Sequence, residues 1–210
     1  MKIGVFDSGV GGRNILAVLQ KALPEHAFAY ACDAWNVPYG NKSPEQVIEL
    51  TMAAIKPLVK DCGLIVVACN TATSYAIEAL RNAYPTINFV GLEPAIKPAA
   101  QLTRSGVITV CATPATLISP NYKHLKHEYA RKLKVIEPDC SDWAGLIESG
   151  QSDQIKLDTL ASSLQARHCD VLVLGCTHYH ALQAKLQELL PNTKVIDPSD
   201  AVAEQVKRYL

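Results

Sequence analysis

Short apolar runs alternate with longer segments of helical spacing along the whole chain. The apolar runs, rich in β-branched residues, predict strands over residues 2–6, 27–31, 64–68, 88–91, 106–111, 134–137, 171–175 and 194–196. Apolar residues at helical spacing predict helices over residues 14–23, 44–60, 71–83, 153–167, 181–190 and 201–209. Some strands are apolar on both faces, which is typical of parallel strands buried between helix layers. The pattern predicts an α/β protein with mostly parallel sheet.

Local signals mark the two ends of the helix predicted over residues 44–60. Ser43 and Gln46 stand at the spacing of a capping box, which satisfies backbone N–H groups at a helix start. Pro57 has no backbone N–H, so we expect it to kink or end this helix.

A faint internal repeat relates the two halves of the chain. Two buried strands run into Cys69 and Cys176 at equivalent places. Upstream of them, the segment Asp7-Ser8-Gly9 follows the first strand as Ala112-Thr113-Pro114 follows the fifth. The distance along the chain is nearly the same for both pairs, so the two halves should share one fold.

We therefore predict two similar parallel-sheet α/β domains. Residues 1–93 form the first and residues 94–198 the second, and residues 199–210 return to the first. In open parallel sheets, ligands bind outside the carboxyl ends of the strands. The four marked segments should therefore meet in one active-site cleft between the halves.

The composition narrows the class of protein. The 210 residues carry 20 basic and 20 acidic side chains, so the chain lacks the basic field that draws proteins to nucleic acid or anionic membranes. No apolar run approaches the roughly 18 residues of a membrane helix, and the first residues lack the apolar segment of a signal peptide. We predict a cytoplasmic protein that binds a small molecule and has no nucleic-acid or membrane partner.

Two of the seven cysteines stand where a thiol becomes reactive. An odd number does not suit a disulfide framework, and a reducing compartment keeps cysteines as thiols. Cys69 and Cys176 each lie between a buried strand and a helix start, where free N–H groups lower a thiol pKa. Their paired placement predicts that both are functional. Packing alone accounts for the others, Cys32, Cys62, Cys111, Cys140 and Cys169.

Groups that assist proton transfer accompany these thiols. Asp7, on the strand-end segment beside Cys69, could hold or relay its proton, and His178 could do so for Cys176. Hydroxyl and amide groups at the same strand ends could bind carboxylates without arginine, namely Ser8, Asn70, Thr71, Thr113, Thr116 and Thr177. The long loop that contains Pro38, Tyr39 and Gly40 is expected to line the cleft.

Other chemistries fit these residues less well. The run Gly9-Val10-Gly11-Gly12 follows a strand but matches neither the dinucleotide fingerprint nor the Walker pattern. A zinc site at Cys176, His178 and His180 lacks a second ligand cluster and the usual spacing. A Cys-His hydrolase would leave one thiol unexplained. Two opposed thiols suit a reaction in which one removes a proton from carbon and the other returns one to the opposite face.

Several motifs together resemble the aspartate/glutamate racemase superfamily, and glutamate racemases in particular. They are Ile3 to Gly12, Pro38-Tyr39-Gly40, Ala68-Cys69-Asn70-Thr71-Ala72, Ala112 to Thr116, Glu148 before Gly150, and Leu174 to Tyr179. They occur in the order found in that family and at nearly its spacing, and they cover residues 1 to about 200.

The resemblance implies a cofactor-independent racemase of two α/β domains related by a pseudo-twofold axis, which converts L-glutamate to D-glutamate for peptidoglycan. Cys69 and Cys176 would be the acid/base thiols, with Asp7 assisting the first and Glu148 and His178 the second. The groups expected to bind substrate are Ser8, Pro38, Tyr39, Gly40, Asn70, Thr71, Thr113, Thr116 and Thr177. No metal or other cofactor is expected.

Two departures from the family pattern lead to further expectations. His180 stands where the family usually has proline, which could alter the helix start beside Cys176. The chain also stops soon after Ile196-Asp197-Pro198, where typical members continue for several dozen residues that complete the first domain. Apolar surface left there would need a cover, so we expect a homodimer. Alternative functions are a racemase, isomerase or decarboxylase acting on aspartate or another small acid, or an inactive binding protein.

Overall fold

The computed structural model describes residues 1–210 as two parallel four-stranded sheets flanked by helices. In chain order the strands are β1 Lys2–Asp7, β2 Ala27–Cys32, β3 Leu64–Val67, β4 Asn88–Gly91, β5 Val107–Ala112, β6 Lys134–Ile136, β7 Val171–Gly175 and β8 Lys194–Ile196. The order in the first sheet is β2-β1-β3-β4 and in the second β6-β5-β7-β8. Each half thus repeats the same topology, and the predicted fold class is confirmed.

Eleven helices connect these strands. They are α1 Gly12–Ala22, α2 Pro44–Ala54, α3 Lys56–Val59, α4 Asn70–Ala83, α5 Ile96–Leu102, α6 Pro114–Ile118, α7 Pro120–Tyr129, α8 Trp143–Glu148, α9 Leu157–Ala166, α10 Gln183–Leu189 and α11 Ser199–Lys207. Three short 3-10 turns cover Tyr39–Asn41, Ser152–Gln154 and Thr177–Leu182. The longest of the helices, α4, has 14 residues, fewer than the roughly 20 that a membrane-spanning helix needs.

The helix predicted over residues 44–60 is two helices. The capping box at Ser43 and Gln46 is present as predicted. However, α2 ends at Ala54, before Pro57, and α3 begins at Lys56. The proline ring would clash with the carbonyl group four residues earlier, so a continuous helix must break upstream of it.

Two other predicted helices begin later than expected, and four were not predicted. Residues 153 and 181 lie in 3-10 turns, so α9 and α10 begin at Leu157 and Gln183. The helices α5 to α8 lack a strong apolar period: α6 and α8 have only five and six residues, and α7 buries a single side chain, Tyr122. Packing rather than periodicity decides such short elements.

The first sheet shows why its strands are apolar on both sides. Because side chains alternate along a strand, Leu64 and Val66 of β3 pack with α1 and α11, whereas Ile65 and Val67 pack beneath α2, α3 and α4. All four are buried. On one face, α11 contributes Val202, Ala203 and Val206 to the same cluster as Leu19 of α1. The final helix therefore packs on the first half of the chain.

Candidate active site

Cys69 follows β3 and caps the first turn of α4. Its backbone is extended, and its sulfur accepts a hydrogen bond from the Ala72 N–H at 3.4 Å. The Ser8 hydroxyl donates to the same sulfur at 3.3 Å. Because α4 has 14 residues, its N-terminus adds a positive partial charge at this thiol. These groups all favour a thiolate at Cys69.

Cys176 occupies the equivalent place after β7, but a 3-10 turn of six residues follows it instead of an α-helix. Its sulfur lies 3.7 Å from Nδ1 of His178. The other ring nitrogen, Nε2, lies 2.7 Å from a carboxylate oxygen of Glu148. A chain of groups therefore runs from the second thiol through the imidazole to a carboxylate, which could carry a proton to or from Cys176.

Both thiols line one small cavity between the two sheets. Its lining residues are Ser8, Pro38, Tyr39, Gly40, Cys69, Asn70, Thr71, Thr113, Ala144, Cys176, Thr177 and His178. The open space is about 10 Å³, which is room for a single water molecule. This space is too small for a ligand much larger than water.

Asp7 lies behind the cavity and is fully buried. One carboxylate oxygen accepts hydrogen bonds from the N–H groups of Gly9 and Gly12, at 3.1 and 3.0 Å. The other accepts from the Thr177 hydroxyl at 3.1 Å, across the seam between the halves. The hydrogen-bonding neighbour of Cys69 is thus Ser8 rather than Asp7, and the predicted assistance of Cys69 by Asp7 stays a prediction.

The cavity wall is rich in neutral hydrogen-bonding groups. The hydroxyl oxygens of Thr71 and Thr113 lie 3.0 Å apart across the seam, and Thr116 lies behind them, 3.0 Å from Thr113. The side chain of Asn70 is buried, yet neither its oxygen nor its nitrogen has a partner. Because burying an unpaired amide costs free energy, this group points to a ligand that completes its hydrogen bonds.

Burial determines the protonation of these groups when the cavity is closed. It raises the pKa of the Cys69 thiol to about 11, and the negative charge of Asp7 acts in the same direction. Burial also raises the pKa of Cys176 well above its ordinary value, as does the charge of Cys69. The pKa of Asp7 is raised by burial, although His178 and the two N–H groups oppose this. A thiolate therefore needs further positive charge before it can form here.

Three glycines let the halves approach closely. A Cβ atom on Gly9 would lie 2.7 Å from Nε2 of His178, and one on Gly11 would lie 2.6 Å from the His178 backbone nitrogen. A Cβ atom on Gly40 would lie 2.7 Å from the Cβ atom of Thr113. These distances are shorter than van der Waals contact. The glycine run after β1, considered above as a nucleotide loop, thus forms part of the seam.

The structure brings all the candidate residues to one place. Those not lining the cavity stand directly behind it: Asp7, Thr116 and Glu148. Sequence reasoning missed Ala144, which lines the cavity, and Tyr30, whose hydroxyl donates to the Gly9 carbonyl at 2.8 Å. Neither carries a sequence signal, since an alanine in a helix and a tyrosine in a strand are ordinary core residues.

The residues considered for zinc do not converge. His180 turns away from Cys176 and places Nδ1 2.6 Å from Asp197. No group of three or more histidine, cysteine, aspartate or glutamate side chains is placed to hold a metal ion.

Comparison with known proteins identifies the family. The family model described as Asp/Glu/Hydantoin racemase matches residues 13–206. The chain belongs to the Asp/Glu/Hydantoin racemase family. Within this family, it is 42% identical over 215 residues to a glutamate racemase of Pseudomonas syringae pv. tomato, covering 99% of this chain and 78% of the relative. It is 41% identical over 216 residues to that of Stutzerimonas stutzeri, covering 99% and 81%.

Solved structures of the family share the architecture. Escherichia coli glutamate racemase, in complex with L-glutamate and the activator UDP-MurNAc-ala, has a TM-score of 0.85 at 32% identity, covering 99% of this chain and 81% of that one. The Francisella tularensis enzyme, in complex with D-glutamate, has a TM-score of 0.82 at 28% identity, covering 100% and 80%. The predicted resemblance is confirmed. An allantoin racemase of Klebsiella pneumoniae, with a TM-score of 0.60 at 20% identity, shares the fold.

Proposed function

We propose that this protein is a cofactor-independent glutamate racemase that interconverts L- and D-glutamate. The proposal rests on the placement of two thiols, Cys69 and Cys176. They come from different halves of the protein and line the same small cavity. Each thiol has its own set of hydrogen-bonding groups, so either one can act as the base. The similarity to curated glutamate racemases supports glutamate as the substrate.

The reaction moves one proton off Cα and another onto it. A thiolate takes the Cα proton, which forms an S–H bond and leaves the electron pair on Cα, delocalised into the carboxylate. The opposite thiol then gives its proton to the other face of Cα and becomes the thiolate. The protein thus ends with its two protonation states exchanged, and solvent exchange resets them.

Neutral donors stabilise the carbanion in this proposal. Asn70, Thr71, Thr113 and Thr177 surround the cavity and can donate to the substrate carboxylates, and the unpaired amide of Asn70 supports that role. The ammonium group of a bound amino acid would supply the positive charge that the thiols lack, lowering the pKa values that burial has raised. Closure of the halves excludes water and strengthens these interactions.

The biological setting follows from the product. D-glutamate supplied by such an enzyme would enter peptidoglycan synthesis. Because the mechanism requires two free thiols, we propose a cytoplasmic location, where they stay reduced.

A racemisation assay in deuterated water tests this proposal. Circular dichroism should show that either enantiomer of glutamate loses optical activity, and each inverted molecule should carry deuterium at Cα. Cys69→Ser and Cys176→Ser should each abolish racemisation because one face loses its acid or base, while Cys32→Ser, at an exposed thiol that does not line the cavity, serves as the control. Near-normal racemisation by either active-site variant would contradict the two-thiol mechanism. Turnover of aspartate in place of glutamate would keep the mechanism and change the substrate.

A further inference from the structure

His180 lies in the 3-10 turn that directly follows the second thiol, Cys176, but it does not line the cavity. The turn Thr177–Leu182 begins directly after Cys176, and His180 faces away from the site. Its Nδ1 atom is 2.6 Å from Oδ2 of Asp197. The side chains are 38% and 13% exposed, so the contact is partly shielded from water. A short hydrogen bond of this kind restrains the turn from its outer side.

Asp197 stands where the chain leaves the second sheet. It follows β8, and its other oxygen, Oδ1, accepts from the Ser199 N–H at 2.8 Å, at the first residue of α11. Burial opposes ionisation, yet the hydrogen bonds from Ser199 and His180 hold the pKa of Asp197 below its ordinary value. Since α11 packs in the core of the first half, one carboxylate contacts both the turn behind Cys176 and the segment that returns to the other half.

The same turn takes part in contacts between the two halves. Thr177 donates to Asp7 of the first half, and His178 contacts Glu148, whose carboxylate accepts from the Val10 N–H at 3.4 Å. A small shift of the turn would therefore move Cys176 and these contacts together.

We propose that His180 and Asp197 are positioning residues for Cys176: their hydrogen bond fixes the turn that directly follows the thiol against the segment that joins the two halves. Neither side chain touches the substrate, and both act through the backbone of the turn. The kinetic consequence rests on the proposed racemisation, whereas the effect on the thiol itself does not. A displacement near 1 Å at a reacting group can cost about a hundredfold in rate.

The test uses the full chain and four variants. His180→Ala removes the hydrogen bond, and Asp197→Asn removes the charge while keeping the shape. His180→Asn keeps an N–H donor close to the place of Nδ1. His124→Ala, at an exposed histidine that contacts Glu128 on α7, is the matched control. The measurements are kcat and KM for glutamate racemisation, the melting temperature, and the rates at which iodoacetamide alkylates Cys176 and Cys69, followed by peptide mass spectrometry.

We expect His180→Ala to lower kcat roughly tenfold, with a smaller change in KM, and to change the ratio of Cys176 to Cys69 alkylation by about threefold or more. Asp197→Asn should act in the same direction, His180→Asn should restore most of the activity, and His124→Ala should match the wild type.

Several outcomes would overturn the proposal. Unchanged kcat and an unchanged alkylation ratio in His180→Ala would do so, as would a loss of activity in which both thiols change equally and the melting temperature falls, since that is general destabilisation. If His180→Ala does not fold, the ratio in Asp197→Asn decides. A wild-type protein that does not racemise glutamate would contradict the proposed function, while the alkylation ratio would still decide the positioning role.

Discussion

The carboxylate of Asp7 is fully buried, and no basic side chain is hydrogen-bonded to it. Three donors hold it, two backbone N–H groups on one oxygen and the Thr177 hydroxyl on the other. Burial nevertheless raises its pKa, so its charge is costly in the folded state. A costly charge held at the seam close to the two cavity thiols is typical of a functional group rather than a stabilising one.

The Asp7→Asn substitution should affect the free energy of unfolding and the catalytic rate in opposite directions. The amide oxygen can accept both N–H groups and the amide nitrogen can donate to the Thr177 hydroxyl, so the variant keeps the geometry and loses the charge. The pKa of Asp7 is raised in the folded protein. Its contribution to the stability of the wild type is therefore fully present below the ordinary pKa of 3.8 and is lost as the pH rises through the folded-state pKa. The variant should therefore be more stable than the wild type near pH 7 and nearly equal to it in acid, as measured by urea unfolding.

The Asp7→Asn variant should also racemise glutamate more slowly than the wild type. We expect kcat to fall by about a hundredfold, by unequal factors for L- and D-glutamate, because the charge acts differently on the two thiols. His178→Asn should show the opposite inequality. Equal falls in both directions at saturating substrate would contradict this assignment of roles. The ratio kcat/KM is uninformative here, since it must be equal in both directions for a racemase.

Asn70 offers a second test at this scale. Its buried amide has no partner, so Asn70→Ala removes a desolvation cost of about 1 kcal/mol together with a substrate contact. We expect KM to rise at least about tenfold while the free energy of unfolding stays the same or rises. Asn82→Ala, at an exposed position of the same helix, controls for helix propensity. A clear loss of stability specific to Asn70→Ala would mean that the amide is a structural group.

At the scale of elements, the two thiols are followed by different structures and have different neighbours. Cys69 begins a long helix and receives the Ser8 hydroxyl, whereas Cys176 begins a short 3-10 turn and faces an imidazole. The topology repeats, but the elements beside the cavity do not. In the proposed mechanism, this asymmetry would give each face of the substrate its own acid–base partner.

The start of α1 packs so closely on the turn Thr177–Leu182 that only glycine fits at residue 11. A Cβ there would lie 2.6 Å from backbone atoms of Thr177 and His178, although the backbone angles of Gly11 suit any residue. Gly11→Ala should therefore wedge the halves apart without straining its own helix. We expect kcat/KM to fall at least about a hundredfold with cooperative unfolding retained. Gly145→Ala in α8, where a Cβ meets nothing within 4 Å, is the control; equal activity of both variants would show that closure is not required.

At the scale of the whole molecule, the closed cavity and the surface of the first half lead to separate expectations. The cavity has room for about one water molecule, so we expect the space between the two sheets to widen when glutamate binds. On the surface, Tyr209 and Leu210 remain 41% and 47% exposed beyond α11, and Tyr209 lines a groove of about 720 Å³ that also includes residues of α4 and α7.

We expect a homodimer whose interface includes the surface of the first half. Apolar side chains at the end of α11 and beside the groove would then be covered by a second copy, most simply through a twofold axis. Sedimentation velocity at micromolar concentration measures this directly. A monomer that binds no hydrophobic dye would show that the chain covers this surface by itself.

Much of this fold and site could be predicted from local sequence. Buried parallel strands carry apolar residues on both faces, so the pattern predicts all eight strands to within about one residue of their bounds. The capping box at Ser43 is a contact between near neighbours, and it too was predicted. Cys69 and Cys176 could be identified because each follows such a strand, and the repeat placed them at equivalent ends of two similar sheets.

The tertiary structure decided what depends on residues far apart in the chain. The hydrogen bond from the Thr177 hydroxyl to Asp7 joins positions 170 residues apart. The close approach of Gly11 to the second half exists only after both sheets have formed. The link from His180 to Asp197 likewise depends on where β8 ends. Local propensity reports on an element and its immediate neighbours, whereas the seam, the buried charge of Asp7 and the size of the cavity arise from packing between halves, which no local pattern encodes.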